Sequence, residues 1–278
     1  MRMTVATALG DVAVRCAGPA GAPGLLLLHA NPGDGRDYDA VLPALADHHR
    51  TYVVDWPGYG DSTVSDPELV TPEGLVEVAG RVLGALEGEG AVTVVGNSVG
   101  GYVACRLAEG PYAERVAGLV LVDPAGFSAS NTLTRWFCRE VMGRPAVARR
   151  LVVPLARAYL GALRTPSARA TFRRVRRLPG ERDRLAVHCA LWRGFAVPGF
   201  GPADPAAIDV PVLLMWGRRD PVVPAFLDGR RARRALPRHT VSVLLPTAHE
   251  PYNERPDLFL RHTLAFLKDP RTFTPTRS

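Results

Sequence analysis

The stretch VVGNSVGG, residues 94–101, decides the fold of this 278-residue chain. A β-branched strand predicted over residues 91–95 runs directly into G-x-S-x-G, and a helix predicted over residues 99–108 follows. This arrangement holds a serine on a tight, strained turn, where small residues two positions before and after it, here Gly96 and Gly100, relieve the crowding. The N-terminus of the helix points free N–H groups at a developing oxyanion. The stretch therefore predicts Ser98 as a nucleophile.

Strand-like and helix-like segments alternate on both sides of this stretch. The predicted strands cover residues 12–15, 25–29, 51–55, 91–95, 116–122, 210–216 and 240–245, and the predicted helices cover residues 72–86, 99–108, 224–236 and 256–267. Thr71 is the expected N-cap of the first helix and Pro72 its first residue. Alternation of this kind indicates an α/β fold, a mainly parallel central sheet with helices on both faces.

The alternation breaks between residues 127 and 207, which show no strand signal and consist of arginine-rich helical stretches separated by prolines. An all-helical insertion in a parallel sheet is expected to cover the carboxyl ends of the strands, where such sheets place their sites. We therefore predict a core formed by residues 1–126 and 208–278, interrupted by a helical cap of residues 127–207.

A serine nucleophile needs a base, and the chain offers one after a later strand. His249 lies on a loop able to reach the serine, and an imidazole suits proton transfer near neutral pH. Asp220 follows another strand, where its carboxylate can accept the second imidazole N–H. Asp123 follows the predicted strand 116–122 and is the alternative acid; otherwise it is expected to serve the turn before the cap.

Four further segments occur in the order that one family uses. They are HANPG (residues 29–33), DWPGYGDS (55–62), WGRRDP (216–221) and AHEP (248–251). With the serine turn, they make residues 10–268 resemble the α/β-hydrolase superfamily, as a serine hydrolase with a helical cap. The resemblance implies the triad order Ser98, Asp220, His249 and an oxyanion hole formed by the backbone N–H groups of Val99 and Asn31. Ala30 and Ala248 stand where the family usually has glycine.

Composition limits the class of protein. Four scattered cysteines without a C-x-x-C pair argue against a zinc site and a disulfide scaffold, so buried free thiols are expected. No apolar run is long enough to span a bilayer and no secretory signal is visible, so the prediction is a cytoplasmic protein without membrane association. We expect no metal and no organic cofactor. The oligomeric state is not predictable.

Charge is unevenly distributed. The chain has a net charge of +7, but residues 127–207 contain fifteen arginines and four acidic residues, a net charge of +11, which leaves −4 for the rest. A basic segment can indicate binding to nucleic acid. The chain has a single lysine and is rich in Ala, Gly, Pro and Arg, so a solvated arginine-rich surface is the better interpretation. We predict a small-molecule substrate and no nucleic acid.

The leading functional hypothesis is hydrolysis of a carboxylic ester or related acyl compound through an acyl-serine. The alternative is hydrolysis of a carbon–carbon bond in a vinylogous diketone, which the elbow sequence also resembles, although Glu250 stands where those enzymes carry tryptophan. A perhydrolase or haloperoxidase side activity would use the same triad, and a ligand receptor without turnover is a further class. An apolar pocket with an arginine at one end would suit a medium-sized acid ester.

The sequence also suggests roles for other histidines and for the aromatic residues of the cap. His29 is expected to be a hydrogen-bonded strut, His188 could line a pocket, and His262 is expected on the surface of the last helix. One or two of the cap's aromatic residues are expected to face the substrate, the others to pack the cap's own core. These aromatic residues include Trp136, Phe137, Tyr159, Phe172, Trp192, Phe195 and Phe200.

Overall fold

The computed structural model of the protein describes residues 1–86 and 88–275; residues 276–278 of the predicted second core segment lie outside the described part. Eight strands are present in the described residues. They are β1 (Arg2–Thr7), β2 (Gly10–Ala17), β3 (Gly24–Leu28), β4 (Arg50–Val54), β5 (Val92–Asn97), β6 (Val116–Val122), β7 (Val212–Gly217) and β8 (Val241–Leu245).

All eight strands join one sheet in the order β1-β2-β4-β3-β5-β6-β7-β8. The pairs β1–β2 and β2–β4 are antiparallel, whereas every other neighbouring pair is parallel. The six strands β3 to β8 therefore point the same way, and their carboxyl ends share one edge. This confirms the predicted α/β class with a mainly parallel sheet.

Ten α-helices connect or flank these strands in the described residues. They are α1 (Leu42–Ala46), α2 (Pro72–Ala85), α3 (Val99–Glu109), α4 (Thr132–Trp136), α5 (Pro145–Tyr159), α6 (Pro166–Val175), α7 (Arg182–Phe195), α8 (Arg230–Ala235), α9 (Pro251–Glu254) and α10 (Pro256–Lys268). Wider π-helical turns cover Phe137–Met142 and Ala225–Gly229. As predicted, Thr71 caps α2, its hydroxyl accepting the N–H of Gly74 at 3.0 Å.

Both faces of the sheet are buried, because successive side chains of its strands point to opposite sides. In β3, Leu26 and Leu28 pack into a core shared with α2 and α3, whereas Leu25 and Leu27 pack into a second core shared with α1 and α10. All five residues of β3 are buried. This explains why the sequence of β3 is a continuous apolar run rather than an alternating one.

Between β6 and β7 the chain forms only helices and turns. We call residues 127–207 the helical insertion. It has apolar clusters of its own, one built from α5, α6 and α7, and another around Met142 and Trp192. Whether it forms a domain separate from the sheet stays a prediction. No helix among the described residues is long and apolar enough to cross a bilayer.

Two features differ from the sequence predictions. The edge strand β1 was not predicted, because Val5 is its only buried residue and a strand with one buried residue shows no alternating apolar pattern. The prediction that His262 lies on the surface of α10 is wrong: its side chain is buried beside Thr263. The four cysteines are buried free thiols, as expected.

Candidate active site

Ser98 is the single residue between β5 and α3, and it lies at the edge of the sheet where the parallel strands have their carboxyl ends. Its backbone adopts φ 54° and ψ −117°, a conformation that costs a non-glycine residue energy and marks a strained turn. A Cβ atom on Gly96 would lie 2.2 Å from the Gly100 carbonyl oxygen, and one on Gly100 would lie 2.3 Å from that of Leu28. The two glycines thus allow the close chain approach that this turn requires.

Asp220 and His249 follow β7 and β8 and meet in a buried contact. Nδ1 of His249 lies 2.5 Å from Oδ2 of Asp220. The other carboxylate oxygen, Oδ1, accepts the backbone N–H groups of Val222 at 2.7 Å and Val223 at 3.2 Å. Because both oxygens are occupied, the carboxylate is held in one orientation, and the imidazole Nδ1 carries the proton that it donates.

The backbone of His249 is held from two directions. Its N–H donates to the carbonyl of Tyr159, the last residue of α5, at 3.0 Å. Its carbonyl accepts Nδ2 of Asn97 at 3.1 Å, and the same Nδ2 donates to the Val122 carbonyl at 2.8 Å. The hydroxyl of Tyr252 donates to Oδ1 of Asn97 at 2.9 Å. The residue before Ser98 therefore ties the histidine loop to the sheet.

Asp123, the alternative acid, lies at the end of β6 with φ 42° and no exposed surface. Its Oδ1 accepts the N–H of Gly217 at 2.8 Å, and its Oδ2 has no partner among the described residues. Burial, and then the charge of Asp220, raise the pKa of Asp123 well above its usual value. Through the Gly217 N–H bond Asp123 links β6 to β7, and among the described residues no hydrogen bond joins its side chain to the turn before the insertion.

Asn31 and Val99 offer the two backbone N–H groups expected for an oxyanion hole. Val99 is the first residue of α3, where N–H groups have no intrahelical acceptor. The N–H of Asn31 has no acceptor among the described residues. The Asn31 side chain is fixed, because its Oδ1 accepts the hydroxyl of Tyr59 at 2.7 Å. His29 is the expected strut: its Nε2 accepts the Trp56 N–H at 3.0 Å.

One cavity of about 190 Å³ brings Ser98, His249 and Asn31 to a common surface. Most of its wall is apolar and comes from the helical insertion. Five of the insertion's eight aromatic residues line it, more than the one or two expected: Phe137, Tyr159, Trp192, Phe195 and Phe200. Of the other three, Trp136 is exposed, Phe172 packs inside the insertion and Phe127 packs into the core shared with α2 and α3. The insertion therefore determines the shape of the cavity.

His188 of α7 also lines this cavity, as the sequence allowed. Nδ1 lies 3.2 Å from Oδ1 of Asn31, and Nε2 is buried without a partner among the described residues. Since an amide oxygen only accepts, Nδ1 carries the imidazole proton. Burial lowers the pKa of His188 to about 3, so it is neutral near neutral pH.

Among the described residues, one group of three or more His, Cys, Asp or Glu side chains is spaced closely enough to hold a metal ion. It consists of Asp123, Asp220 and His249, whose possible ligand atoms lie within 4.8 Å of one another. Nδ1 of His249 and Oδ2 of Asp220, two of the candidate ligand atoms, already bond each other. Burial raises the pKa of Asp123 and so disfavours the charged carboxylate that a metal ligand requires. This donor set fits a buried acid–histidine pair better than a metal centre.

The sequence did not predict the parts of this site that depend on distant contacts. Asn97, Tyr159 and Tyr252 were not identified as neighbours of His249, although Asn97 lies inside the serine motif itself. The bond from Asn97 to His249 joins residues 152 positions apart, and nothing local in the sequence marks it.

The chain is similar in sequence to known proteins. Residues 23–256 match the family described as alpha/beta hydrolase fold. The dihydrolipoyllysine-residue acetyltransferase component of the acetoin cleaving system of Cupriavidus necator is 31% identical over 248 residues, 86% of this chain; the chain spans only 62% of that relative's length. The pimeloyl-[acyl-carrier protein] methyl ester esterase of Vibrio vulnificus is 26% identical over 248 residues, 88% of this chain and 94% of the relative.

Solved structures share the same fold. A thermophilic esterase from Thermogutta terrifontis superposes with a TM-score of 0.79 at 24% identity, covering 98% of this chain and 100% of that one. A bromoperoxidase from Bacillus anthracis gives a TM-score of 0.80 at 19% identity, covering 97% and 100%. At this identity the likeness concerns the fold alone.

Proposed function

The chain belongs to the alpha/beta hydrolase fold family, which matches residues 23–256, and from this premise we propose that it is a serine hydrolase that cleaves a small carboxylic ester through an acyl-serine on Ser98. The observation that carries the proposal is the buried bond between Nδ1 of His249 and Oδ2 of Asp220 at 2.5 Å. It orients an imidazole whose ring borders the same cavity as Ser98. A serine hydroxyl is inert without such a base.

In the proposed mechanism, Ser98 Oγ attacks the acyl carbon while Nε2 of His249 takes its proton. The N–H groups of Val99 and Asn31 donate to the oxyanion of the tetrahedral intermediate. The intermediate then collapses: the bond to the alcohol oxygen breaks, and His249 returns the proton to the leaving alcohol. Water, deprotonated by His249, then attacks the acyl-serine; the bond between the acyl carbon and Ser98 Oγ breaks, Oγ takes the proton back from His249, and the acid is released. Asp220 stabilises the imidazolium throughout.

The size of the cavity limits the substrate. A dry cavity of roughly 150 Å³ holds one benzene molecule, and this cavity is about 190 Å³. It therefore fits a short acyl chain or a single ring rather than the chain of a long fatty acid. Relatives named as esterases, among them the enzyme from Vibrio vulnificus, support ester hydrolysis as the reaction class. No step of the mechanism requires a metal or an organic cofactor.

A panel of chromogenic esters tests the proposal. We expect turnover of 4-nitrophenyl esters that falls as the acyl chain lengthens beyond the cavity. Ser98→Ala should lower kcat by at least about 1,000-fold, whereas the matched control Ser65→Ala, which changes an exposed serine that does not line the cavity, should behave like wild type. Unchanged turnover in Ser98→Ala would overturn the proposal. Turnover of ring-fission diketones without any ester turnover would replace it with carbon–carbon bond hydrolysis.

A further inference from the structure

Arg135 is the only Arg, Lys, Asp or Glu among the described residues that line the cavity containing Ser98. No carboxylate lines it, and the other ionisable groups there are the imidazoles of His188 and His249, the Cys138 thiol and the Tyr159 phenol, whose pKa burial raises well above its usual value. His188 is neutral, as shown above, and burial raises the pKa of Cys138 to about 11. The permanent charge of the cavity is therefore a single positive one.

The position of Arg135 is fixed by a short capped helix. It lies in α4, whose N-cap, Asn131, accepts the N–H of Thr134 through Oδ1 at 2.9 Å. Thr134, Arg135, Phe137 and Cys138 line the cavity, whereas Leu133 and Trp136 are exposed to solvent. One face of this segment therefore presents the arginine to the cavity.

The guanidinium of Arg135 makes no hydrogen bond and no ion pair with any described residue. By contrast, Arg144 pairs with Glu140, and Arg193 pairs with Glu68 and also donates to a backbone carbonyl. Other unpaired arginines of the insertion do not line the cavity and can be solvated at the surface. A half-buried arginine on an apolar wall instead loses part of its hydration, and an anion bound there would compensate for it.

We propose that the substrate of this enzyme is an ester that carries a carboxylate, and that Arg135 binds the carboxylate. The inference rests on the proposed ester hydrolysis and specifies its substrate class. The planar guanidinium fits a carboxylate with two parallel N–H···O bonds. The helical insertion, with a net charge of +11, adds a positive field that attracts anions to the cavity.

Two esters that differ in charge and by one methyl group test the inference: mono-(4-nitrophenyl) glutarate and its neutral methyl ester. Arg135→Gln should lower kcat/KM for the anionic ester about 10- to 100-fold, the range expected for a charged hydrogen bond, and change the neutral ester less than about twofold. Arg135→Lys should retain part of the preference. The control Arg139→Gln removes an exposed arginine four residues on that pairs with Glu140 and does not line the cavity; it should change neither rate.

A second pair of substrates locates the charge. 4-Carboxyphenyl butyrate carries the carboxylate on the alcohol side and phenyl butyrate is its neutral match. Loss of preference in Arg135→Gln with either charged ester supports the inference, and the affected ester identifies the side of the scissile bond that faces Arg135. Equal effects of Arg135→Gln on charged and neutral esters, or no effect on any of them, would overturn it.

Binding of glutarate to the Ser98→Ala protein, measured by calorimetry, gives a reading independent of turnover. We expect the additional change Arg135→Gln to weaken this binding about tenfold or more. Equal binding with and without Arg135 would overturn the inference even if ester hydrolysis is established. If Arg135→Gln weakens glutarate binding but the wild-type protein hydrolyses no ester, the anion site at Arg135 is supported and the proposed function fails.

Discussion

Asp123 and Asp220 lie side by side at the ends of β6 and β7, and of the two only Asp220 hydrogen-bonds the imidazole of His249. Their environments explain the difference. Oδ1 of Asp220 accepts two backbone N–H groups, which stabilises the charged carboxylate. Asp123 accepts one and is otherwise buried, and this burial raises its pKa and disfavours the charged form. Two adjacent carboxyl groups thus have different roles.

This difference predicts unequal effects of two isosteric substitutions. Asp220→Asn removes the charge that stabilises the imidazolium and should lower kcat about 10,000-fold. Asp123→Asn keeps an oxygen for the Gly217 N–H and should lower kcat less than about tenfold. Steady-state kinetics on one ester compare the two proteins. A loss in Asp123→Asn as large as in Asp220→Asn would mean that Asp123 shares the role of the acid.

The glycines of the serine turn should tolerate no side chain. A Cβ on Gly100 would meet backbone at 2.3 Å, so Gly100→Ala is expected to lower the free energy of unfolding by about 3 kcal/mol or more. Around Gly84, near the end of α2, no described atom outside the adjacent residues and the backbone of the same helix lies within 4 Å of the Cβ position. The same substitution there should raise stability by about 0.5 kcal/mol. Urea denaturation measures both, and a Gly100→Ala protein as stable as wild type would contradict the close approach.

The buried imidazole of His188 should make stability depend on pH. Its pKa is about 3 in the folded protein and about 6.5 in an unfolded chain. The unfolded state therefore binds one more proton between these values, and stability falls as the pH drops from about 6.5 towards 3. His188→Gln should reduce this slope by about 1.4 kcal/mol per pH unit, whereas His48→Gln, at an exposed position, should not. Identical slopes in wild type and His188→Gln would contradict the assignment.

Asn97 should affect both stability and activity, because its amide joins β6, the histidine loop and Tyr252. Asn97→Ala leaves several buried polar groups without partners and should cost about 2–4 kcal/mol of stability. Tyr252→Phe removes one of these bonds and should cost about 1 kcal/mol. In Asn97→Ala we also expect kcat to fall well beyond the change in Tyr252→Phe. Equal stability and kcat in the two variants would show that the amide does not hold the histidine loop.

The sequence predicted those parts of the molecule that are encoded locally. The serine turn depends on Gly96 and Gly100, and the acid and the histidine each directly follow a strand, so their types and positions are visible in short segments. The parallel sheet follows from buried strands that alternate with helices. These features need no knowledge of contacts between distant residues.

The helical insertion and the second layer of the site were not predictable in the same way. Whether Arg135 or Phe137 faces the cavity depends on how α4 packs against the rest of the insertion, and neighbouring positions such as Trp136 are exposed instead. His262 is expected on the surface of the last helix, yet packing of α10 buries it. Such outcomes depend on tertiary packing rather than on local pattern.

Labelling with a fluorophosphonate, mapped by mass spectrometry, tests the central claim most directly. A serine whose proton is taken by His249 should be phosphonylated at a single position. We expect one adduct on the peptide containing Ser98 in wild type, none in Ser98→Ala, and a much slower reaction in His249→Asn. An adduct on another residue, or no adduct on folded wild-type protein, would contradict the assignment of Ser98 as the nucleophile.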